Sequence, residues 1–391
     1  MTFEEIVEKI KNVIGREAAV LHEPFFQGQE WSYVKDCLDT GWVSSVGKYV
    51  DLFEQKITEM TQAKYAIATV NGTAALQLCY QLAGIRADDE VLVSTLTFVA
   101  TVNAMKYLGA VPHFVDCEKV SLGIDAQALE SYLKDIAEIK NGHCFNRTTG
   151  RCIKALCVTH VFGHPADLDA LKAVVDHYQL VLIEDAAEAL GSYYNNRHVG
   201  HDGLVGALSF NGNKIVTSGG GGAILTDNED IARLAKHLVT TAKKPHPWQY
   251  YHDQVGYNYR LPNINAALGC AQLDQLPLFL KRKRKLAQRY QTMFPKEGEI
   301  FSLWEPSYAS SNYWLNTLVL NDDLADQRDA CLDFCLANHL GVRPVWELCH
   351  TLPMYEHCPR MPLSVAMDFR NRLISVPSST FLIEEKEVAY A

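Results

Sequence analysis

The chain has 391 residues, of which 48% are hydrophobic and 21% are charged, a globular composition that excludes collagen-like and largely disordered proteins. Its length exceeds the roughly 250–300 residues at which one hydrophobic core stops growing, so we expect two domains. The net charge of −10 argues against a nucleic-acid partner. No apolar run approaches the ~18 residues that cross a bilayer, so we expect no membrane partner either.

The first residues mix Glu and Lys in an amphipathic pattern, unlike a signal peptide, which has an apolar stretch and a small-residue cleavage site. We therefore expect a cytoplasmic protein whose eleven cysteines are reduced. No Cys or His pair has the CxxC spacing of a zinc ribbon or finger, so the sequence predicts no metal site.

Short apolar segments alternate with helical patterns from about residue 64 to residue 225. The predicted strands cover residues 65–70, 91–94, 111–115, 155–160, 181–184 and 206–210. The predicted helices cover residues 73–82, 99–108, 125–134 and 168–178. Such an alternation predicts a mostly parallel sheet with helices on both faces. Sheets of this kind bind ligands at the carboxyl ends of their strands.

The pattern changes after about residue 240. Residues 264–280 are predicted to form one long helix that continues into the basic run 281–285. We interpret that run as a solvated helix face, with a phosphate-binding patch as the alternative. The sequence predicts an N-terminal segment and large domain over residues 1–243 and a smaller α+β domain over residues 244–391.

Three groups of reactive or ligand-binding residues lie at predicted strand ends. Residues 71–76, Asn-Gly-Thr-Ala-Ala-Leu, open a helix whose N-terminal amides favour a phosphate, although the same pattern also caps helices. Asp185 ends a buried strand and needs a partner, because an unpaired buried charge costs several kcal/mol. A metal, a helix N-terminus or a cationic heterocycle would supply that partner.

The third group is the turn from Ser209 to Lys214, followed by four glycines at 219–222. These glycines lack the Gly-x-Gly-x-x-Gly spacing of a dinucleotide-binding dehydrogenase. A lysine between small and apolar neighbours can serve as a Schiff-base amine, although a solvated loop lysine is the simpler alternative. Together the three groups match the needs of a pyridoxal phosphate site, in which Phe98 would stack on the cofactor ring.

The chain resembles the DegT/DnrJ/EryC1/StrS family of sugar aminotransferases over about residues 26–379. Seven motifs carry the resemblance: GWVSSVG (41–47), NGTAAL (71–76), TFVAT (97–101), HVFGH (160–164), DAAE (185–188), SFNGNK (209–214) and GYNYR (256–260). It implies an α/β, aspartate-aminotransferase-like fold (type I of pyridoxal phosphate enzymes). Such a fold has a mostly parallel seven-stranded sheet between helices and a smaller C-terminal α+β domain.

The resemblance also implies roles for individual residues. Lys214 would be the catalytic residue, which holds the cofactor as a Schiff base and moves protons. Asp185 would pair with the pyridinium nitrogen, and Glu188 would face the 3′-oxygen of the cofactor. Relatives that dehydrate a sugar at C3 have lost this lysine, typically to His, so Lys214 favours transamination.

Phosphate binding and assembly follow from the same resemblance. Four residues would bind the phosphate within one chain: Gly72, Thr73, Ala74 and Ser209. In this family Asn258 reaches the phosphate of the neighbouring subunit. We therefore expect a homodimer whose active sites are shared between subunits.

The substrate is predicted from finer similarities. Residues 42–47, 244–248 and 343–346 resemble most the enzymes that make UDP-linked 4-amino-4,6-dideoxy-N-acetylhexosamines for bacterial surface glycans such as O-antigen. We expect L-glutamate to donate an amino group to C4 of a UDP-linked 4-keto-6-deoxy-N-acetylhexosamine. C3 amination of a dTDP-keto sugar and a non-catalytic regulator that binds the cofactor or a nucleotide are the alternatives.

Overall fold

The computed structural model describes residues 1–383, so the last residues of the predicted C-terminal domain, 384–391, lie outside the described part of the chain. The α-helices in that part are α1 (Phe3–Ile14), α2 (Glu30–Thr40), α3 (Lys48–Thr61), α4 (Gly72–Leu82), α5 (Val99–Lys106), α6 (Ala126–Ile136), α7 (Leu168–His177), α8 (Glu229–Val239), α9 (Asn263–Leu273), α10 (Leu276–Met293), α11 (Arg328–Ala337) and α12 (Ser364–Arg370). Within residues 1–383, no helix is both long and apolar enough to span a membrane.

The strands are β1 (Tyr65–Thr69), β2 (Glu90–Ser94), β3 (Val111–Val115), β4 (Ala137–Lys140), β5 (His143–Asn146), β6 (Cys152–Thr159), β7 (Val181–Asp185), β8 (Tyr193–Tyr194), β9 (Arg197–His198), β10 (Val205–Ser209), β11 (Gly222–Thr226), β12 (Ile300–Ser302), β13 (Ala309–Ser310), β14 (Asn316–Leu320), β15 (Arg343–Pro344) and β16 (Leu373–Val376). Short 3-10 helices cover Val161–Gly163, Asp322–Gln327, Cys349–Thr351 and Thr380–Leu382.

The large sheet confirms the predicted fold class. Its seven main strands lie in the order β1-β11-β10-β7-β6-β2-β3. The strands β10, β7, β6, β2 and β3 are parallel to one another, and β11 runs antiparallel to both β1 and β10. A hairpin that the sequence analysis missed, β4–β5, adds two antiparallel strands next to β6.

Side chains on both faces of the large sheet are buried, and most of them are apolar. In β2, the consecutive residues Val91, Leu92 and Val93 are all fully buried, although neighbouring side chains of a strand point to opposite faces. The same burial extends along β7 to Asp185. A carboxylate therefore ends a strand inside the core, at the sheet edge where ligands bind in this architecture.

A second core lies against a four-stranded antiparallel sheet in the order β12-β14-β16-β15. It contains apolar residues of α1, α10 and α11, among them Ile10, Tyr290 and Cys331. Helix α9, by contrast, packs on α2 and α3, and the buried apolar residues of α2 and α3 belong to the core of the large sheet. The predicted domain boundary between residues 243 and 244 remains a prediction.

The prediction of one continuous helix over residues 264–280 is wrong. Helix α9 ends at Leu273 and α10 begins at Leu276. Pro277 lies in the first turn of α10, where its missing N–H costs nothing, whereas the same proline inside a continuous helix would remove a hydrogen bond and clash with the preceding turn.

The interpretation of the basic run 281–285 as a solvated face is also wrong. Lys283 is fully buried and Arg282 is 2% exposed. Residues three, four and seven apart share one side of a helix, so Lys283 lies on the same side as Leu286 and Tyr290, which belong to the second core. The Lys283 ammonium donates to the backbone carbonyls of Trp314 (2.7 Å) and Ser378.

Candidate active site

A cavity of about 320 Å³ lies at the carboxyl ends of β1, β6, β7 and β10. It is lined by seven of the nine predicted site residues: Gly72, Thr73, Phe98, Asp185, Glu188, Ser209 and Lys214. The sequence predicted these residues on separate segments, and the parallel strands bring them to one edge of the sheet. The other two, Ala74 and Asn258, do not line the cavity.

Asp185 is the last residue of β7, and its carboxylate faces the cavity. It accepts hydrogen bonds from the Thr101 hydroxyl (2.5 Å) and the Ala187 amide (3.1 Å). Burial raises the pKa of the Asp185 carboxyl, and these bonds and the charge of Lys214 only partly oppose that effect. Because both hydrogen-bond donors are neutral, a cationic ligand would stabilise the ionised carboxylate.

The Glu188 carboxylate contacts both Lys214 and the backbone of the segment that follows β6. Its Oε1 lies 3.4 Å from Lys214 Nζ, and its Oε2 accepts a hydrogen bond from the Phe162 amide at 2.9 Å. Phe162 has a φ of 56°, which is unusual for a bulky residue and costs energy. Burial raises the pKa of Glu188 to about 6, although Lys214 and the Phe162 amide oppose it. Glu188 can therefore gain or lose a proton near neutral pH.

The N-terminus of α4 meets the end of β10 without room for a side chain between them. A Cβ at Gly72 would lie 2.9 Å from Ser209 Cβ, so only glycine permits this approach. Asn71 caps the helix by accepting a hydrogen bond from the Ala74 amide at 2.8 Å. That amide is thus already paired within the chain, whereas Gly72, Thr73 and Ser209 line the cavity and can provide the anion site that a helix N-terminus favours.

Asn258 lies on the surface, where its backbone bridges to Thr240. Nearby, residues 246–255 are exposed, and their large aromatic and apolar side chains include Trp248 (79% exposed), Tyr250 (80%) and Val255 (80%). Asn258 therefore does not contribute to the cavity of its own chain, and its predicted contact with a neighbouring subunit remains a prediction.

Several residues that line the cavity are not among the predicted site residues. Thr101 lies in the first turn of α5, Thr159 ends β6, and Trp314 comes from the C-terminal part of the chain. Trp346, whose motif was noted, packs on Phe162 and Phe98 with ring centroids 5.2 and 6.1 Å apart. A periodic apolar pattern does not distinguish such tryptophans from core residues, so the sequence held no separate signal for Trp314.

The residues present fit pyridoxal phosphate. The cavity combines N-terminal helix amides and a hydroxyl at Gly72, Thr73 and Ser209, a buried carboxylate with neutral donors at Asp185, and an amine at Lys214. These are the groups that the phosphate, the ring nitrogen and the aldehyde of this cofactor require. Because Gly72 has no side chain, Ser209 can lie against the helix N-terminus, and Gly72, Thr73 and Ser209 line the cavity together.

Comparison with known proteins agrees with this chemistry. The chain matches the DegT/DnrJ/EryC1/StrS aminotransferase family over residues 26–390. It is 35% identical over 376 residues to the GDP-perosamine synthase of Vibrio cholerae (94% of this chain, 95% of that protein). It is 34% identical over 369 residues to the GDP-perosamine synthase of Escherichia coli O157:H7, with the same coverage.

Among solved structures, the chain is similar to Helicobacter pylori PseC, an aminotransferase involved in the biosynthesis of pseudoaminic acid. The TM-score is 0.85 at 23% identity, over 95% of this chain and 96% of that chain, a likeness that shows the fold. The sequence relatives extend the likeness to the family. The chain therefore belongs to the DegT/DnrJ/EryC1/StrS aminotransferases and is a sugar aminotransferase that depends on pyridoxal phosphate.

Proposed function

We propose that this protein transfers the amino group of L-glutamate to C4 of a UDP-linked 4-keto-6-deoxy-N-acetylhexosamine. The observation that carries the proposal is the Lys214 amine, which lies in the cavity 3.4 Å from Glu188 and shares that cavity with Asp185. A retained lysine at this position supports transamination over sugar dehydration.

When bound, pyridoxal phosphate supplies an electron sink and carries the amino group between the two substrates. Lys214 moves a proton to and from the reacting carbon of the substrate. Asp185 keeps a proton on the ring nitrogen, and that cation in turn stabilises the buried carboxylate. The Gly72 and Thr73 amides and the Ser209 hydroxyl bind the phosphate.

Two further groups shape the reaction. Glu188 titrates close to neutral pH, because burial raises its pKa to about 6, so it can hold a proton at the 3′-oxygen of the cofactor. The aromatic pair Phe98 and Trp346 lines the same cavity. It offers a ring that stacks on the cofactor and excludes water from the reacting groups.

The proposal also specifies the nucleotide that carries the sugar. The motifs at residues 42–47 and 343–346 support UDP. A GDP-linked sugar is the second candidate, because two relatives that are 35% and 34% identical are named GDP-perosamine synthases. A cytoplasmic location stays part of the proposal and rests on the eleven cysteines, all of which are unpaired within residues 1–383.

The test uses the holoenzyme after L-glutamate has converted its cofactor to the amino form. UDP-, GDP- and dTDP-linked 4-keto-6-deoxy sugars and a dTDP-linked 3-keto-6-deoxy sugar are then added separately, and the return of the yellow colour is timed. The proposal expects the UDP-linked N-acetylhexosamine to act fastest. A faster GDP-linked sugar would establish the second candidate, and a fastest dTDP-3-keto sugar would favour C3 amination. No return with any keto sugar would refute transfer to a nucleotide sugar.

We also propose a homodimer in which Asn258 of each chain completes the site of the other. The exposed aromatic and apolar side chains of residues 246–255 support an interface beside Asn258, because apolar patches of this kind mark contact surfaces. A C2 dimer would bring the same surface of both chains together.

Co-expression of Lys214→Ala and Asn258→Ala chains tests the shared site. In a mixed dimer with shared sites, both defects fall in one site and the other site is intact. Random pairing makes half of the dimers mixed, so we expect about one quarter of wild-type activity. If Asn258 serves its own chain, every site carries one defect, and the mixture stays as inactive as either variant alone.

A further inference from the structure

Trp314 contacts both the side chain and the main chain of the lysine loop. The Lys214 ammonium lies 3.8 Å from the centroid of the Trp314 ring. The indole N–H of Trp314 donates a hydrogen bond of 2.7 Å to the backbone carbonyl of Asn213, the residue before the lysine. An ammonium over an indole face is the favourable geometry for a cation–π interaction, and it is stronger when the pair is shielded from water. Trp314 is 5% exposed.

Hydrogen bonds to its amide and to its carbonyl hold the backbone of Trp314 in place. Its amide donates to Asn312 Oδ1 at 2.8 Å, and its carbonyl accepts from the buried Lys283 at 2.7 Å. The Asn312 amide group donates in turn to the backbone carbonyl of Glu188 at 2.9 Å. The ring that faces Lys214 is therefore tied to the segment that carries Glu188, the other partner of the ammonium.

A lysine that binds a cofactor and then moves protons alternates between a bonded and a free amine. The free amine needs a defined place, because its proton transfers require a fixed geometry. In this chain the free ammonium lies between the Glu188 carboxylate at 3.4 Å and the Trp314 ring at 3.8 Å.

We propose that Trp314 is a positioning residue for Lys214. Its aromatic face holds the free ammonium beside Glu188, and its indole N–H holds the loop at Asn213. The benefit to transamination rests on the proposed function, whereas the position of the free amine does not. The two parts can therefore be tested separately.

The experiment compares Trp314→Phe with Trp314→Met in the cofactor-free protein. Phe keeps an aromatic face and Met keeps similar apolar bulk without one, while both lose the indole N–H. Acetic anhydride at low conversion labels the lysines, and mass spectrometry gives the labelling rate of Lys214. Loss of the aromatic face should raise that rate about 2- to 30-fold in Trp314→Met. In Trp314→Phe we expect the rate to stay within about 2-fold of wild type, because the face remains.

Lys296 provides a matched control, because its ammonium lies 4.9 Å from the centroid of the Trp304 ring. Trp304→Met should leave the labelling of Lys214 unchanged, and Trp314→Met should leave that of Lys296 unchanged. If Trp314→Met does not fold by circular dichroism, Trp314→Leu replaces it in the same comparison.

Equal Lys214 labelling in the folded Phe and Met (or Leu) variants would overturn the proposal, because the aromatic face would then make no difference. Failure of the proposed function would be seen elsewhere, as a holoenzyme that does not react with L-glutamate. The labelling result stands whether or not that reaction occurs, so the two failures are distinguishable.

Discussion

Glu184 and Asp185 are neighbours at the end of β7, and both are buried, yet their surroundings shift their pKa values in opposite directions. Glu184 accepts hydrogen bonds from His160 Nε2 (3.0 Å) and from the amides of Gly200 (2.7 Å) and Gly203 (2.9 Å). Although burial opposes ionisation, these three donors hold the pKa of Glu184 below its usual value. Burial raises the pKa of Asp185, which has two donors.

The difference separates a structural carboxylate from one that is left for a ligand. Adjacent side chains of a strand point to opposite faces, so Glu184 faces the loop around Gly200 and Asp185 faces the cavity. His160 donates through Nε2 because its Nδ1 accepts from the Ala166 amide. A buried carboxylate whose own chain supplies enough donors stabilises the fold, whereas a carboxylate with fewer donors beside a cavity is suited to a cationic ligand.

The largest effect should come from Asp185→Asn. The amide keeps the shape of the side chain but loses the charge that pairs with the pyridinium nitrogen. We expect kcat to fall about 10²- to 10³-fold with L-glutamate and the accepted keto sugar, as when a charge-stabilising group is removed. The apparent free energy of unfolding of the cofactor-free protein should change by less than about 1 kcal/mol. Wild-type kcat in this variant would contradict the role of Asp185.

Glu184→Gln should give the opposite result. Its amide group cannot accept all three hydrogen bonds, so at least one buried donor loses its partner. We expect the apparent free energy of unfolding to fall by about 3 kcal/mol in urea titrations of the cofactor-free protein. Asp185→Asn is the matched control, and the comparison fails if it destabilises the protein more than Glu184→Gln does.

A smaller effect should appear in the pH dependence of stability. The pKa of Glu188 is raised from 4.5 to about 6 in the folded protein, so between these values the folded state binds more protons than the unfolded state. Stability therefore falls as the pH rises through this interval, by about 1 kcal/mol between pH 4.5 and pH 6 and by about 2 kcal/mol over the whole titration. Glu188→Gln lacks this contribution.

The measurement is the difference in apparent free energy of unfolding between wild type and Glu188→Gln, both without cofactor, from pH 4.5 to pH 7. Taking this difference removes the contributions of all titrating groups that the two proteins share. A difference that does not vary over this range would show that burial does not raise the pKa of Glu188.

Local pattern was sufficient for the residues that belong to single strands and turns. Alternation of strands and helices predicted the parallel sheet, and the rule for strand ends placed Asp185, Ser209 and Lys214 near one another. The motif resemblance added Glu188, whose side chain lies 3.4 Å from Lys214. Each of these residues lies close in sequence to a predicted strand end.

Other features depend on packing between distant segments. Trp314 reaches Lys214 from a segment 100 residues further along the chain, and Lys283 is buried because α10 packs on the second core. Neither contact has a local pattern in the sequence, since the same tryptophan or basic run can be buried or exposed. Pro277, by contrast, was a visible signal for the start of a helix, and it marks the break between α9 and α10.

The most direct test of Lys214 as the cofactor-binding amine is the visible absorbance of the purified protein with pyridoxal phosphate, before and after L-glutamate is added. Lys214→Ala is measured beside it under the same conditions. We expect a yellow wild-type protein that bleaches with L-glutamate, and a Lys214→Ala protein without the lysine-linked absorbance. A wild-type protein that stays colourless, or a Lys214→Ala protein that still catalyses the full transfer, would contradict this role of Lys214.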